Sequence, residues 1–439
     1  MRRTGETGRR AVHFAVGGLA FLLRDLTPLQ AACAAGAAIL SNVFVLPRVA
    51  PSLFRGEERQ EPWRSGVVIY PVAVLLLVLL FHRHMEVAGA AWGIMAAGDS
   101  AAGLVGRRYG RRPIPWNRLK TVEGSLAFAM AATLFSWAIL VWMGRGGAEA
   151  VLLAGSTSLF AAFIESLPWR LDDNLTVPLL SGAFLAGLVQ IDADRLAAAA
   201  PGIGVALLIG LAVNAALAIL FGATRTVDRS GMIAGFFVGV LTFALASWRG
   251  FLVLTAFFVL GSGATRLGLR RKERAGIAQE KKGARSARHA LANCSVGVYL
   301  AFLVSSSASA ELFALAFVCA YATAAFDTVS SEIGRAYGGR PVLITTLRAV
   351  PAGTDGAVSW VGTLAGLVAA WLVCGVAVST GFIGSDRTGI VLAAAFVGSA
   401  ADSVLGATLE ARGLLDNEAV NFSNTLVGAL TGIALAACL

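Results

Sequence analysis

Charge is what this chain has least of. Asp, Glu, Lys and Arg make up 14% of its 439 residues, against about 25% in an ordinary soluble domain, which excludes a soluble globular fold. Histidine is nearly absent, and His13, His82, His84 and His289 are too scattered to propose a metal cluster. The five cysteines, Cys33, Cys294, Cys319, Cys374 and Cys438, stand singly in apolar stretches. Without paired spacing they make neither a zinc nor a redox site and read as small packing residues. Also missing are the GxxxxGK[ST] phosphate loop, the GxSxG elbow, HExxH and the loop set of soluble protein kinases. The usual soluble nucleotide, hydrolase and metalloprotease chemistries are thereby set aside.

Apolar residues fill the space that charge leaves. They account for 57% of the chain, with 50 glycines besides, enough for about 15 bilayer spans at roughly 20 residues each. The runs predict helices near 11–24, 28–46, 66–81, 86–105, 121–143, 150–167, 175–190, 200–221, 231–247, 251–265, 291–309, 311–332, 357–379, 389–406 and 422–438. Long continuous runs exclude the short alternating segments of an outer-membrane barrel. The expected fold is therefore an all-α polytopic membrane protein of about 15 helices. With a cytoplasmic N-terminus, all but six of the 36 Lys and Arg fall in inner loops, the exceptions being Arg24, Arg83, Arg145, Arg195, Arg249 and Arg387. The positive-inside rule then fixes that orientation, and it accounts for the net charge of +10 without nucleic acid. No cleavable signal peptide is expected at the start of the first run.

Shifted by 228 residues, GDSAAGLVGRRYGRRP around Asp99 lies over FDTVSSEIGRAYGGRP around Asp327. Asp99/Asp327, Gly106/Gly334, Arg107/Arg335, Tyr109/Tyr337, Gly110/Gly338, Arg112/Arg340 and Pro113/Pro341 match, which predicts an internal repeat. Asp173-Asn174 and Asp416-Asn417 form a second correspondence. The polar stretch near 191–200 is the expected boundary, giving related halves 1–195 and 196–439 with both motif sets facing the cytoplasm.

Ionisable groups inside apolar spans mark function by default. Asp99, Glu165, Asp327 and Asp402 fall near the cytoplasmic ends of their expected spans, with Glu123 and Glu332 close by. Snorkelling toward nearby arginines is the plain alternative. In the first half, Asp99 precedes the basic loop GRRYGRRPIPWNRLK, and the chain re-enters the membrane through TVEGS. Carboxylates hold magnesium, whereas Lys, Arg and the free amides of a helix N-terminus neutralise phosphate. The combination predicts a magnesium–nucleotide site. The second half has the same parts with more cations, in RKERAGIAQEKKGARSARH and in the segment from Arg335 to Ser359 that includes Thr354. A second anionic group on the acceptor explains that excess, and so does contact with anionic lipid. His13, shortly after Arg9 and Arg10, reads either as a phosphate contact or as a helix-end polar residue.

These motifs carry a resemblance. RRAVHFAVGG, GDSAAGLVGRRYGRRPIPWNRLKTVEGS and ESLPWRLDDNLTVPLLSG resemble the phytol kinase and dolichol kinase family of membrane prenol kinases. GMIAGFFVG, GSGATR, GARSARHALAN, DTVSSEIG, VPAGTDGAVSWVGT and DNEAVNF are similar to a related family of the phytyl-phosphate kinase type. The resemblance implies a fusion of two consecutive kinases. The first would phosphorylate an isoprenoid alcohol from CTP or another nucleoside triphosphate, and the second would convert the monophosphate to the diphosphate. Arg266 and Arg348 stand where lysine is expected, and Glu410 where glutamine is expected, which bears on nucleotide preference.

On this reading Asp99 and Glu123 bind Mg2+, while Arg107, Arg112 and Lys120 hold nucleotide phosphates and Glu165 or Asp173 orients the acceptor hydroxyl. In the second half Asp327, Glu332 and Asp402 take the metal and catalytic roles, with Lys281, Lys282, Arg285, Arg348 and Thr354 on phosphates. His13, Asn174, Asn293, Asp416, Asn417 and Asn421 are weaker candidates. The isoprenoid tail would lie between helices in the membrane lipid. Two rivals stand beside this reading. A membrane cytidylyltransferase would release pyrophosphate, and a secondary transporter would carry its acids near the bilayer midplane.

Overall fold

A computed structural model describes residues 12–50, 54, 65–168, 171–223, 228–274 and 285–438. The chain is an all-α polytopic membrane protein. Among the described residues, ten helices are long and apolar enough to cross a membrane, and Val12–Arg24 and Gly66–Leu80 are shorter apolar helices. Backbone amides have no water partners in a bilayer, so long apolar segments close their hydrogen bonds internally as helices. Every expected apolar run falls in a helix, but the boundaries shift. The runs 231–247 and 251–265 share one element, Arg229–Arg266, broken at Ser247, whose φ of 61° takes the backbone out of the helical region.

Two compact units divide the chain, Met1–Val189 and Gln190–Leu439. In the first, α1 (Val12–Arg24), α2 (Pro28–Val49) and α3 (Gly66–Leu80) precede α4 (Met85–Tyr109), which carries Asp99. A β-hairpin, β1 (Pro113–Ile114) with β2 (Asn117–Thr121), leads into α5 (Val122–Trp142), α6 (Gly147–Ser166) and α7 (Asp173–Leu188). Along α5, Leu126, Met130 and Leu134 recur every four residues and are exposed, a stripe suited to lipid. On the opposite side α4 packs closely. A Cβ at Gly98 would lie 2.6 Å from the Phe128 ring, so the contact requires glycine.

The second unit holds α8 (Ala193–Ala223), the broken helix α9 (Arg229–Arg266), α10 (Leu269–Arg274) and α11 (Ala287–Ser306). Its centre is α12 (Ala310–Tyr337), 83% buried over its most apolar window, whereas α8 is only 11% buried. Phe317, Cys319, Tyr321 and Ala322 have no exposure. A second hairpin, β3 (Val342–Leu343) with β4 (Ala357–Val358), leads into α13 (Trp360–Ser379), α14 (Thr388–Leu405) and α15 (Asn417–Cys438). A π-helical turn, Gly406–Glu410, extends α14. Cys294, Cys319 and Cys374 are buried, and Cys33 and Cys438 are exposed.

The repeat takes a physical form here. In each unit an Asp-bearing helix runs into a hairpin, and the next helix starts from a hydroxyl cap. Thr121 Oγ1 accepts from Gly124 N, and Ser359 Oγ from Gly362 N, both at 3.2 Å. The hairpin of the second unit is ten residues longer, measured from the matched aspartates to the caps. The close contact under it is preserved with sizes exchanged: Phe128 covers Gly98 in the first unit, and Phe326 covers Gly366 in the second, again at 2.6 Å.

Candidate active site

The first unit gathers its acids around a lysine. Lys120, at the end of β2, donates to Glu165 Oε1 at 2.6 Å and to Asp173 Oδ2 at 2.8 Å. The hairpin is pinned there because Asn117 Nδ2 donates to Ser166 O at 3.2 Å and Trp116 Nε1 to Ser166 Oγ at 3.1 Å. Burial alone would lower the Lys120 pKa, but Asp173 and Glu165 outweigh it and raise it. Asp172 caps α7, its Oδ1 accepting from Asn174 N and Nδ2 at 2.8 Å each. Burial, followed by the like charges of Asp173 and Asp99, holds its pKa above the usual range, although the Asn174 hydrogen bonds act the other way. Four acids thus share a small region with one lysine, an excess of negative charge that suits a cation.

Individual expectations change in this setting. Lys120 is engaged by two carboxylates rather than open to phosphate. Glu123 Oε2 accepts from the backbone of Arg111 and Arg112 at 3.1 and 3.2 Å, so it braces the hairpin. Arg107 and Arg112 are exposed and Asp99 is half-buried. The His13 ring packs edge-on against Tyr70, with centroids 4.5 Å apart.

In the second unit a polar cavity is lined by Asp327, Arg335, Thr354, Asp355, Asp402 and Glu410, among others. Asp327 and Glu332 come from α12, Asp402 from α14 and Glu410 from the π turn, a deformation common near functional sites. Asn424 Nδ2 holds Asp402 Oδ2 at 2.8 Å. Asp416 caps the start of α15, accepting from Ala419 N at 2.9 Å, and Asn417 Oδ1 accepts from Asn421 Nδ2 at 3.1 Å. Asn417 and Asn421 line the same cavity. Gly356, at a φ of 73°, lets the hairpin loop meet α14, since a Cβ there would lie 2.4 Å from Ser403 O.

Two expected roles meet a different setting. Glu332 is paired with Lys272, which also donates to Thr265 O at 2.9 Å. Both side chains are buried, so Glu332 Oε2 has its counter-charge within the protein, while Glu332 also lines the cavity. Arg348 is exposed near the tip of the hairpin, where its backbone carbonyl accepts from Leu343 N, and it is not among the residues lining the cavity. Arg335 faces the cavity instead. Lys281 and Lys282 lie outside the described residues.

Arg285 and His289 line the polar cavity and also a second one that is almost wholly apolar. The Arg285 guanidinium stands 5.3 Å from the Phe257 ring and 5.7 Å from that of Phe258. Burial keeps its pKa below the ordinary arginine value, although arginine remains charged in proteins. Asn293 lines the apolar cavity, its Nδ2 donating to His289 O at 3.0 Å.

Sequence reasoning passed over Lys272, Asp355, Asn424 and the hairpin anchors Trp116 and Asn117. Asp355 lies inside the VPAGTDGAVSWVGT motif, and Asn424 was readable as a polar residue inside an apolar helix. Among the described residues, no three His, Cys, Asp or Glu side chains converge closely enough to hold a metal alone. Magnesium is commonly held by one or two carboxylates with substrate phosphates and water, and the acids present fit that mode.

Residues 212–429 match the family model described as integral membrane protein DUF92. The chain is 38% identical over 203 residues to an uncharacterized membrane protein of Synechocystis, covering 46% of this chain and 79% of that protein. It is 37% identical over 213 residues to the chloroplastic protein VTE6 of Arabidopsis thaliana, covering 47% and 64% of the two chains. A probable phytol kinase 3 of Glycine max is 31% identical over 194 residues, 40% of this chain and 61% of that protein. The matches to VTE6 and the soybean kinase thus span less than two thirds of those relatives. No solved structure matches.

Proposed function

The chain belongs to the DUF92 family of integral membrane proteins, and from that footing we propose that it is a membrane isoprenoid kinase with two sites. The first unit phosphorylates a prenol such as phytol, and the second phosphorylates the resulting monophosphate to the diphosphate. CTP is the proposed donor, and both sites face the cytoplasm. The carrying observation is the recurrence, in each unit, of an aspartate helix, a hairpin and a hydroxyl-capped helix beside an acid-rich site. Similarity to a relative named as a probable phytol kinase supports the phosphotransferase class, and the phytyl-phosphate-kinase motifs support the second step.

Phosphoryl transfer requires positioning and charge neutralisation more than covalent chemistry from the protein. Of the four acids grouped in the first unit, Asp99 and Asp172 are the two without a lysine partner, suited to a nucleotide-bound Mg2+. Lys120 fixes Glu165 and Asp173 so that one of them receives the acceptor hydroxyl and its proton. In the second unit Asp327, Asp402, Asp355 and Glu410 supply carboxylates, and Arg335 with the hairpin loop at Thr354 attends the phosphates. When bound, Mg2+ would neutralise the donor phosphates.

The test is a γ-32P-CTP assay on the full chain in detergent, with phytol or phytyl monophosphate. Asp99→Asn should abolish phytol phosphorylation yet still convert monophosphate, whereas Asp327→Asn should accumulate monophosphate. Label released as pyrophosphate would instead identify a cytidylyltransferase. Loss of both steps in either variant would refute two separable sites.

A further inference from the structure

The second unit contains two cavities of opposite character that share a wall. One is polar and holds the acids described above. The other is enclosed by Leu217, Phe236, Val238, Leu254, Phe258 and Cys294. Arg285 and His289 belong to both. A ligand filling both spaces is an amphiphile with its polar end beside Arg285. A nucleotide has no apolar chain to fill the second space.

Arg285 carries a donor that no described residue satisfies. Its Nη2 is buried with no hydrogen-bond partner among the described residues, and Glu332, the nearby acid that favours its charge, is already held by Lys272; a buried donor left unpaired is costly. Two glycines make room for it on the two arms of α9. A Cβ at Gly261 would lie 2.3 Å from Arg285 Nη2, and one at Gly231 would lie 2.0 Å from the Arg285 carbonyl oxygen. The aromatic faces of Phe257 and Phe258 hold the guanidinium on the apolar side.

We propose that the apolar cavity takes the hydrocarbon chain of a single-chain phosphate monoester whose phosphate binds Arg285 at the junction with the polar cavity. Arg285 is thus an acceptor-specificity residue. A free alcohol leaves its Nη2 donor without an anionic acceptor and is rejected, while a monophosphate satisfies it. The inference rests on the reading of the second unit as a prenyl-phosphate kinase and assigns that site its acceptor subsite.

Binding tests it without nucleotide, so its failure is separable from failure of the kinase reading. Full chain in detergent is titrated with tritiated phytyl monophosphate, phytol and dimethylallyl monophosphate. Arg285→Gln should weaken phytyl monophosphate at least tenfold and leave phytol unchanged, with partial recovery in Arg285→Lys. Gly235 lines the apolar cavity, and a Cβ there meets nothing within 4 Å. Gly235→Leu should therefore fill the cavity without disturbing its walls. It should weaken phytyl monophosphate at least tenfold and spare the five-carbon ester. A phytyl monophosphate carrying a diazirine in its tail should label Leu217, Phe236 or Phe258. Unchanged affinity in Gly235→Leu, or label confined to other helices, would overturn the assignment. Equal displacement by dioleoyl phosphatidic acid would assign the cavity to a bilayer phospholipid and overturn it as well. A chain that binds and labels as expected but transfers no phosphoryl group would sink the kinase reading alone.

Discussion

Lys120 donates to Glu165 Oε1 at 2.6 Å across 45 residues of sequence, tying the first hairpin to the end of α6. The Glu165 side chain is 6% exposed and that of Lys120 24%, so removing the lysine strands a buried carboxylate. Lys120→Met should destabilise the protein by about 3 kcal/mol, the lower end for a broken buried pair because Lys120 is partly exposed. Thermal unfolding in detergent is the check, and Lys120→Met combined with Glu165→Gln should recover part of the loss. An unchanged melting temperature in the single variant would refute a structural role for the pair.

Alkaline pH offers a second test of the same contact. The folded pKa of Lys120 is raised, so its contribution is full below the unfolded value of about 10.4 and is lost as pH rises through the higher folded value. Between pH 7 and 9 the stability difference between wild type and Lys120→Met should stay constant. It should shrink only at more alkaline pH, as followed by urea unfolding at each pH.

The buried partnership of Lys272 with Glu332 makes a contrasting prediction. Both side chains are nearly inaccessible, at 2% and 3%. Lys272→Met should cost about 3–5 kcal/mol by leaving an uncompensated acid. Lys272→Met with Glu332→Leu should restore most of it, because neither charge is then buried. If the double variant is as unstable as the single, packing rather than charge is responsible.

Asn424 supplies the hydrogen bond that holds Asp402. Asn424→Leu removes it and should slow conversion of phytyl monophosphate by roughly tenfold or more, about 1.4 kcal/mol of barrier, with phytol phosphorylation unaffected. Product analysis by thin-layer chromatography would show monophosphate accumulating. Equal slowing of both steps would count against the assignment of Asp402 to the second site.

The exchanged pairs Gly98/Phe128 and Phe326/Gly366 predict a size rule. Gly366→Ala places a methyl 2.6 Å from the Phe326 ring and should destabilise by about 1–3 kcal/mol through overpacking. Adding Phe326→Leu should relieve part of that strain in thermal unfolding.

Much of the fold was legible because a bilayer leaves a chain few options. Scarce charge and long apolar runs dictate helices, and the runs from 11–24 to 422–438 all fall in them. The repeat was legible at Asp99 and Asp327 because the flanking Gly, Arg, Tyr and Pro positions coincide. It faded afterwards, because the second hairpin is longer and the glycine–phenylalanine contact changes sides. Comparison at a fixed shift cannot follow either change.

The sites divided differently. Sequence by itself determined that a few acids sit in apolar helices beside basic loops, since an ionisable group inside a span is too costly to be incidental. Partners are set by distance, and only the tertiary structure decided them. It gave Lys120 to Glu165 and Asp173, Lys272 to Glu332 and Asn424 to Asp402, and it left Arg348 on the surface. It also put Arg285 between an acid-lined space and an apolar one, a relation that spacing cannot encode because the walls come from separate helices.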